Sequence, residues 1–222
     1  VLVKEKKVPE DLIAKKEAEA GRQSVFKDKI FWIFLFVCFI TAVLFFQLFT
    51  TLPLYHSEHF GLTEFQSGLI LSFNGILIFF LEMPIVSYCQ RKDISKLSIV
   101  LWGSVLMAIS FYVLLFNAWA GILIVSLLFI TFGEMFIFPF SNSFALSRAP
   151  KGHEGRYMAL FTMSFSLAHI ASSKMGLEII SHFNYQANWF VMGTLGVLAV
   201  PMLSVGAIGN GVGDYFGIPS AY

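Results

Sequence analysis

The chain has 222 residues, 57% hydrophobic and 13% charged, with 26 phenylalanines and a formal net charge of +1. So much apolar surface exceeds what a soluble core can bury, so the composition excludes an ordinary soluble protein and predicts one whose solvent is lipid. The small net charge argues against a nucleic-acid partner, and the two cysteines, Cys38 and Cys89, fall in or at the edge of apolar runs, where they read as packing residues rather than a disulfide framework.

Residues 1–29 carry Lys4, Lys6, Lys7, Lys15, Lys16, Arg22, Lys27 and Lys29 among acidic residues. The stretch is too long and too mixed in sign for a signal peptide, and no small-residue cleavage site follows it. It is expected to be a charged cytoplasmic linker from a segment upstream, with a solvated and partly helical portion over residues 10–22.

Runs free of Asp, Glu, Lys and Arg then extend over 30–57, 65–81, 97–133 and 179–213. A hydrocarbon core of about 30 Å takes roughly 20 helical residues, so the third run must turn once, and Asn117-Ala-Trp-Ala-Gly121 is the place for it. With Glu82, Glu134, Lys174 and Glu178 accepted inside otherwise apolar segments, six helices are expected, near 30–55, 65–89, 97–116, 119–146, 156–180 and 188–208. The runs are continuous rather than alternating, which excludes a β-barrel and makes the fold class all-α, a polytopic membrane helix bundle. Residues 30–209 form that bundle, and 210–222 are a Gly-rich tail without Lys or Arg whose origin the sequence leaves open.

The charges fix a topology. Fourteen of the fifteen basic residues lie before the first span, between the second and third (Arg91, Lys92, Lys96), or between the fourth and fifth (Arg148, Lys151, Arg156). The alternate loops hold none, so the positive-inside rule predicts both ends of the segment in the cytoplasm and a multi-pass protein of the cell (plasma or inner) membrane. Only Lys174 is left within a span.

Several local stretches carry a resemblance: Gln47 with Pro53 in FFQLFTTLPLY, Glu82-Met83-Pro84 in FFLEMPIV, the basic QRKDISK turn followed by Gly103, and GEMFIFP leading into SRAPKGHEGRYMAL. Over roughly residues 30–175 these resemble the second half of a major facilitator superfamily transporter of the drug-efflux-like kind, and the last stretch also resembles proton-coupled oligopeptide transporters. The resemblance implies six helices as two three-helix repeats, half of a twelve-helix fold, with a missing N-terminal six-helix half as partner. It also implies that the first, second, fourth and fifth helices line a central cavity. Gln47, Glu82, Glu134, Asn142, His169 and Lys174 all fall on those helices, as polar groups in a bilayer should. Two features depart from the family pattern: SYCQRKDISK lacks the usual Gly and Asp-Arg pattern, and the tail lacks a basic character. A loose echo, Gln47 to Pro53 and Glu134 to Pro139, is of the kind inverted repeats leave.

Each polar residue admits two readings. Glu134, near the middle of its span, is a carboxyl able to load and release a proton as a cavity wets and dries, or a hydrogen-bonded lock between helices. Glu82, two residues before Pro84, braces the inner end of its helix or joins the coupling. His169 joins the proton coupling or packs. Lys174 neutralises Glu178 four residues on, or faces the cavity and an anionic substrate group. Gln47, Asn74 and Asn142 are candidates for substrate hydrogen bonds. Proton-coupling candidates are therefore Glu134, Glu82 and His169, and substrate-cavity candidates Gln47, Asn74, Asn142 and Lys174.

There is no Walker-type loop, His-Glu-x-x-His motif or Gly-x-Ser-x-Gly elbow in the chain, so no ATP, metal or enzymatic chemistry is indicated, and a proton gradient is the expected energy source rather than a cofactor. The expectation is half of a secondary transporter for a small organic solute, efflux of amphipathic compounds first and oligopeptide or nutrient uptake second. The reading from another class is a self-contained six-helix scaffold, receptor or intramembrane enzyme.

Overall fold

The computed structural model describes residues 25–92, 94–116 and 119–208, with side chains through Met202. The linker to residue 24 and the tail 210–222 lie outside the described residues, as does the first part of the 117–121 turn. Among the described residues a 3-10 turn at Val25–Lys27 is followed by seven α-helices: α1 (Lys29–Phe46), α2 (Thr51–Phe60), α3 (Glu64–Arg91), α4 (Lys96–Val113), α5 (Gly121–Arg148), α6 (Glu154–His182) and α7 (Tyr185–Ile208).

The single first helix expected over 30–55 is two helices. Pro53 has no N–H to give the carbonyl four residues back, and its ring crowds that carbonyl. Thr50 Oγ1 donates to the Phe46 carbonyl at 3.1 Å, and the Leu52 N–H reaches five residues back to Gln47 O at 3.0 Å. The chain therefore breaks at 47–50, whereas α3 and α5 continue through Pro84 and Pro139. The other helices run within a few residues of expectation and their ends have local causes. A capping box of Thr63 and Gln66 starts α3. The Asn184 side chain accepts from the Ala187 N–H at 2.8 Å, which starts α7 at Tyr185 rather than at 188.

Four segments, Lys29–Phe60, Glu64–Arg91, Lys96–Val113 and Gly121–Arg148, are long and apolar enough to cross a membrane among the described residues. At 29 and 24 residues, α6 and α7 also exceed the roughly 20 that a span requires. In lipid no hydrophobic drive holds helices to one another, so close packing has to. Gly103 of α4 and Gly133 of α5 supply it: a Cβ on Gly103 would meet the Gly133 carbonyl oxygen at 2.9 Å. On the other flank of α4, a Cβ on Gly196 of α7 would meet Ala108 Cβ at 2.8 Å.

Helix contacts follow a two-fold pattern. α1 packs on α6 and α7, α5 packs on α3 and α4, and α4 packs on α7. Exchanging the first three spans with the last three maps this set onto itself, as two inverted three-helix repeats require. Cys38 and Cys89 are free and buried.

Candidate functional site

At the middle of α5, Glu134 is almost completely buried and its carboxylate accepts a short hydrogen bond from Asn74 Nδ2 of α3. The same Asn74 amide donates to Thr131 Oγ1 at 2.9 Å, and Thr131 in turn donates to the Leu127 carbonyl at 2.6 Å. Thr131 and Glu134 are three apart, hence neighbours on one face of α5. Gly133, the residue before it, lets α5 meet the backbone of α4 closely, which holds the rotation of α5 beside Glu134. Glu82 lies eight residues beyond Asn74 on α3, half-buried, and interacts electrostatically with Glu134. The structure thus joins two residues that the sequence assigned to different roles, a coupling candidate and a cavity candidate.

A second polar cluster occupies the break between α1 and α2. Gln47 Nε2 donates to both Ser172 O and Ser172 Oγ of α6 at 2.9 Å, while its Oε1 accepts from Thr51 Oγ1 at 2.5 Å and from Asn188 Nδ2 of α7 at 3.3 Å. Ser172 Oγ donates onward to Val43 O at 2.8 Å. Gly176 makes room, since a Cβ there would meet Gln47 Oε1 at 2.6 Å. The Gln47 amide is saturated by the bundle itself. The two clusters occupy corresponding places in the repeats, with Gln47 of α1 bonded to α6 and Glu134 of α5 bonded to α3.

The remaining candidates do not join either cluster through a hydrogen bond. His169 is exposed on α6, its ring edge-on to Phe46 with centroids 4.6 Å apart. Lys174 and Asn142 are exposed on α6 and α5. The pairing of Lys174 with Glu178 is not the one formed: Glu178 Oε2 lies 3.4 Å from His182 Nδ1, one turn further along α6.

Sequence reasoning missed a third cluster, at the end of the bundle where the basic loops gather. Asp28 caps α1, accepting from the Phe31 N–H at 3.1 Å, and takes both Arg148 Nε at 2.8 Å and Nη2 at 2.7 Å at the end of α5. Tyr157 of α6 donates to the same carboxylate at 3.2 Å. Burial alone would raise the Asp28 pKa, but the Arg148 and Phe31 hydrogen bonds and the guanidinium charge outweigh it and hold the carboxyl below its ordinary range. An Asp immediately before an apolar run was the available signal for the cap, although nothing in the sequence pairs it with Arg148.

The sequence profile described as Major Facilitator Superfamily matches residues 1–173. A protein of Planococcus maritimus named Na(+), Li(+), K(+)/H(+) antiporter is 20% identical over 189 residues, covering 79% of this chain and 44% of that protein. A protein of Bacillus subtilis (strain 168) named Uncharacterized MFS-type transporter YttB is 26% identical over 139 residues, covering 62% of this chain and 34% of its own length. The chain therefore spans less than half the length of these relatives, and no solved structure matches it significantly.

Proposed function

Because the chain belongs to the Major Facilitator Superfamily, we propose that it is the second half of a secondary transporter that moves a small organic solute by alternating access, driven by protons exchanged at Glu134. The upstream partner in this reading is a first six-helix bundle, against which this one rocks while both ends of the segment stay in the cytoplasm. One observation carries the coupling role: a carboxyl buried at mid-membrane is held by the amide of Asn74 across the α3–α5 contact, so movement of α3 relative to α5 alters its partner. Glu82, half-buried on the same helix as Asn74, is the second titratable group in reach. His169, Lys174 and Asn142, exposed on α6 and α5, are the groups a solute between the halves would meet. Efflux of amphipathic compounds is the substrate class favoured, with oligopeptide or nutrient uptake next.

A second reading has support of its own. The Planococcus relative is named for alkali-cation/proton antiport, and Thr131 Oγ1 and the Glu134 carboxylate supply the oxygen ligands a hard monovalent cation takes. In that reading the proton and the cation compete for Glu134.

The experiment is Glu134→Gln in the full-length protein in membrane vesicles. Loss of pH-gradient-driven solute flux with solute exchange retained supports the first reading. Loss of sodium- or potassium-induced proton movement, with no solute flux in either protein, supports the second. Gradient-driven transport at the unmodified rate in the variant removes Glu134 from coupling.

A further inference from the structure

Away from both polar clusters, α3 and α4 follow one another in the chain across the basic turn at 92–95. Both pack on α5, but they make no extensive contact with each other. Between them lies an open apolar cavity of about 580 Å³, with Pro84, Ile85 and Tyr88 of α3 on one wall, Ile99 and Trp102 of α4 on the other, and Phe136 of α5 at its floor. The volume falls within the range of small-ligand sites, about 300–1,000 Å³. Tyr88 and Trp102 are 61% and 64% exposed, so the groove is open along its length rather than enclosed.

Its two ends differ chemically. Pro84, Tyr88 and Arg91 are four and three residues apart, so they follow one another along one face of α3 and bring Arg91 to the mouth of the groove. Lys92 follows as the C-cap of α3, and both side chains are exposed. Lys96, at the start of α4, adds positive charge but is turned toward Ser143 O of α5 at 3.4 Å. Against these three cations the turn's sequence holds one acid, Asp93. Pro84 lies seven residues inside Arg91, so the apolar trough reaches roughly 10 Å into the bilayer at 1.5 Å per residue. Tyr88 and Trp102 are the amphipathic ring types enriched where hydrocarbon gives way to headgroups.

We propose that this groove seats one acyl chain of an anionic phospholipid, its phosphate held at the mouth by Arg91 and Lys92. The apolar walls accept the chain, the basic mouth selects the headgroup, and the bound lipid fills the wedge between α3 and α4. Because α3 also carries Asn74, a lipid in the wedge bears on the helix whose position sets the partner of Glu134. The inference does not depend on which solute or ion is carried.

Trp102 is its own reporter. The full-length protein, with and without Trp102→Phe, is reconstituted with tail-brominated phosphatidylglycerol or tail-brominated phosphatidylcholine, and the quenching lost with Trp102 isolates the signal from the groove. The expected result is quenching by both lipids with an apparent preference for phosphatidylglycerol of about thirtyfold, the effect of two basic residues near a lipid surface. Arg91→Gln with Lys92→Gln abolishes the preference and keeps the phosphatidylcholine signal. Equal quenching of the unmodified protein by the two lipids shows ordinary solvation by the bilayer and overturns the proposal. Absence of quenching by either lipid shows that protein covers the groove and overturns it as well. Both refuting outcomes are read without the charge variants, so a failure of those to fold leaves the test intact.

Discussion

The contact of α4 with α5 at Gly103 offers the sharpest test of the packing on which Glu134 depends. In Gly103→Ala the new methyl lies 2.7 Å from Ile137 Cγ1, 2.9 Å from the Gly133 carbonyl oxygen and 3.0 Å from Phe136 Cβ. Ile137 can turn aside, but the Gly133 carbonyl belongs to the α5 backbone, so the two helices must separate by a few tenths of an ångström. Overpacking of this kind costs about 1–3 kcal/mol, while Ala in place of Gly in a helix returns up to about 1 kcal/mol. Gly155→Ala, in the first turn of α6 with nothing within 4 Å of the added Cβ, isolates that second effect. The difference between the two variants is therefore about 1–3 kcal/mol, with Gly103→Ala the less stable. Thermal unfolding of the full-length protein in detergent, followed by loss of the monodisperse chromatographic peak, reads the order directly. At roughly 2–4 °C per kcal/mol for a unit of this size, Gly103→Ala melts at least about 2 °C below Gly155→Ala. Equal or inverted melting temperatures would refute the close crossing and, with it, the placement of Glu134 by backbone contact.

Three further outcomes are expected. Asp28→Asn lowers stability by about 1–2 kcal/mol at pH 7, since a partly exposed charge-assisted pair is lost. Because the folded Asp28 carboxyl titrates below its ordinary 3.8, its contribution is complete above that pH and fades as pH falls further, so the unfolding curves of variant and parent converge in acid. Ser172→Ala leaves the buried Gln47 amide short of an acceptor and opens the joint between α1 and α6, costing about 1–3 kcal/mol by the same thermal assay; a neutral result would mean that water replaces the hydroxyl. Cys38, with no exposed surface, reacts with a membrane-permeant maleimide only as the protein unfolds, and mass spectrometry showing prompt labelling in the folded state would contradict its burial.

The reading of sequence and structure diverges at identifiable residues. Continuous apolar runs such as 97–116 were legible because a bilayer imposes one length and one polarity on whatever crosses it, and α4 occupies Lys96–Val113. Glu134 stood out for the same reason, as a carboxylate where lipid tolerates few. That the helix would break before Pro53 while α3 and α5 run on through Pro84 and Pro139 was not legible, because all three prolines remove the same N–H and the break coincides with tertiary bonds of Gln47 to α6 and α7 that lie far away in sequence. Lys174 and Glu178 were the nearest opposite charges in sequence, yet Glu178 points along α6 to His182 instead.

By itself, then, the sequence determined a membrane-spanning all-α chain and singled out its one central carboxyl, since both follow from the cost of placing polar residue types in hydrocarbon. Only the tertiary structure decided which groups meet. Asn74 and Glu134 are 60 residues apart, Gln47 and Ser172 125, Asp28 and Arg148 120, and the approach of α6 to Gln47 further depends on Gly176, where a Cβ would meet the Gln47 amide. Helix periodicity constrains neighbours three or four residues away and carries no information about partners at that distance.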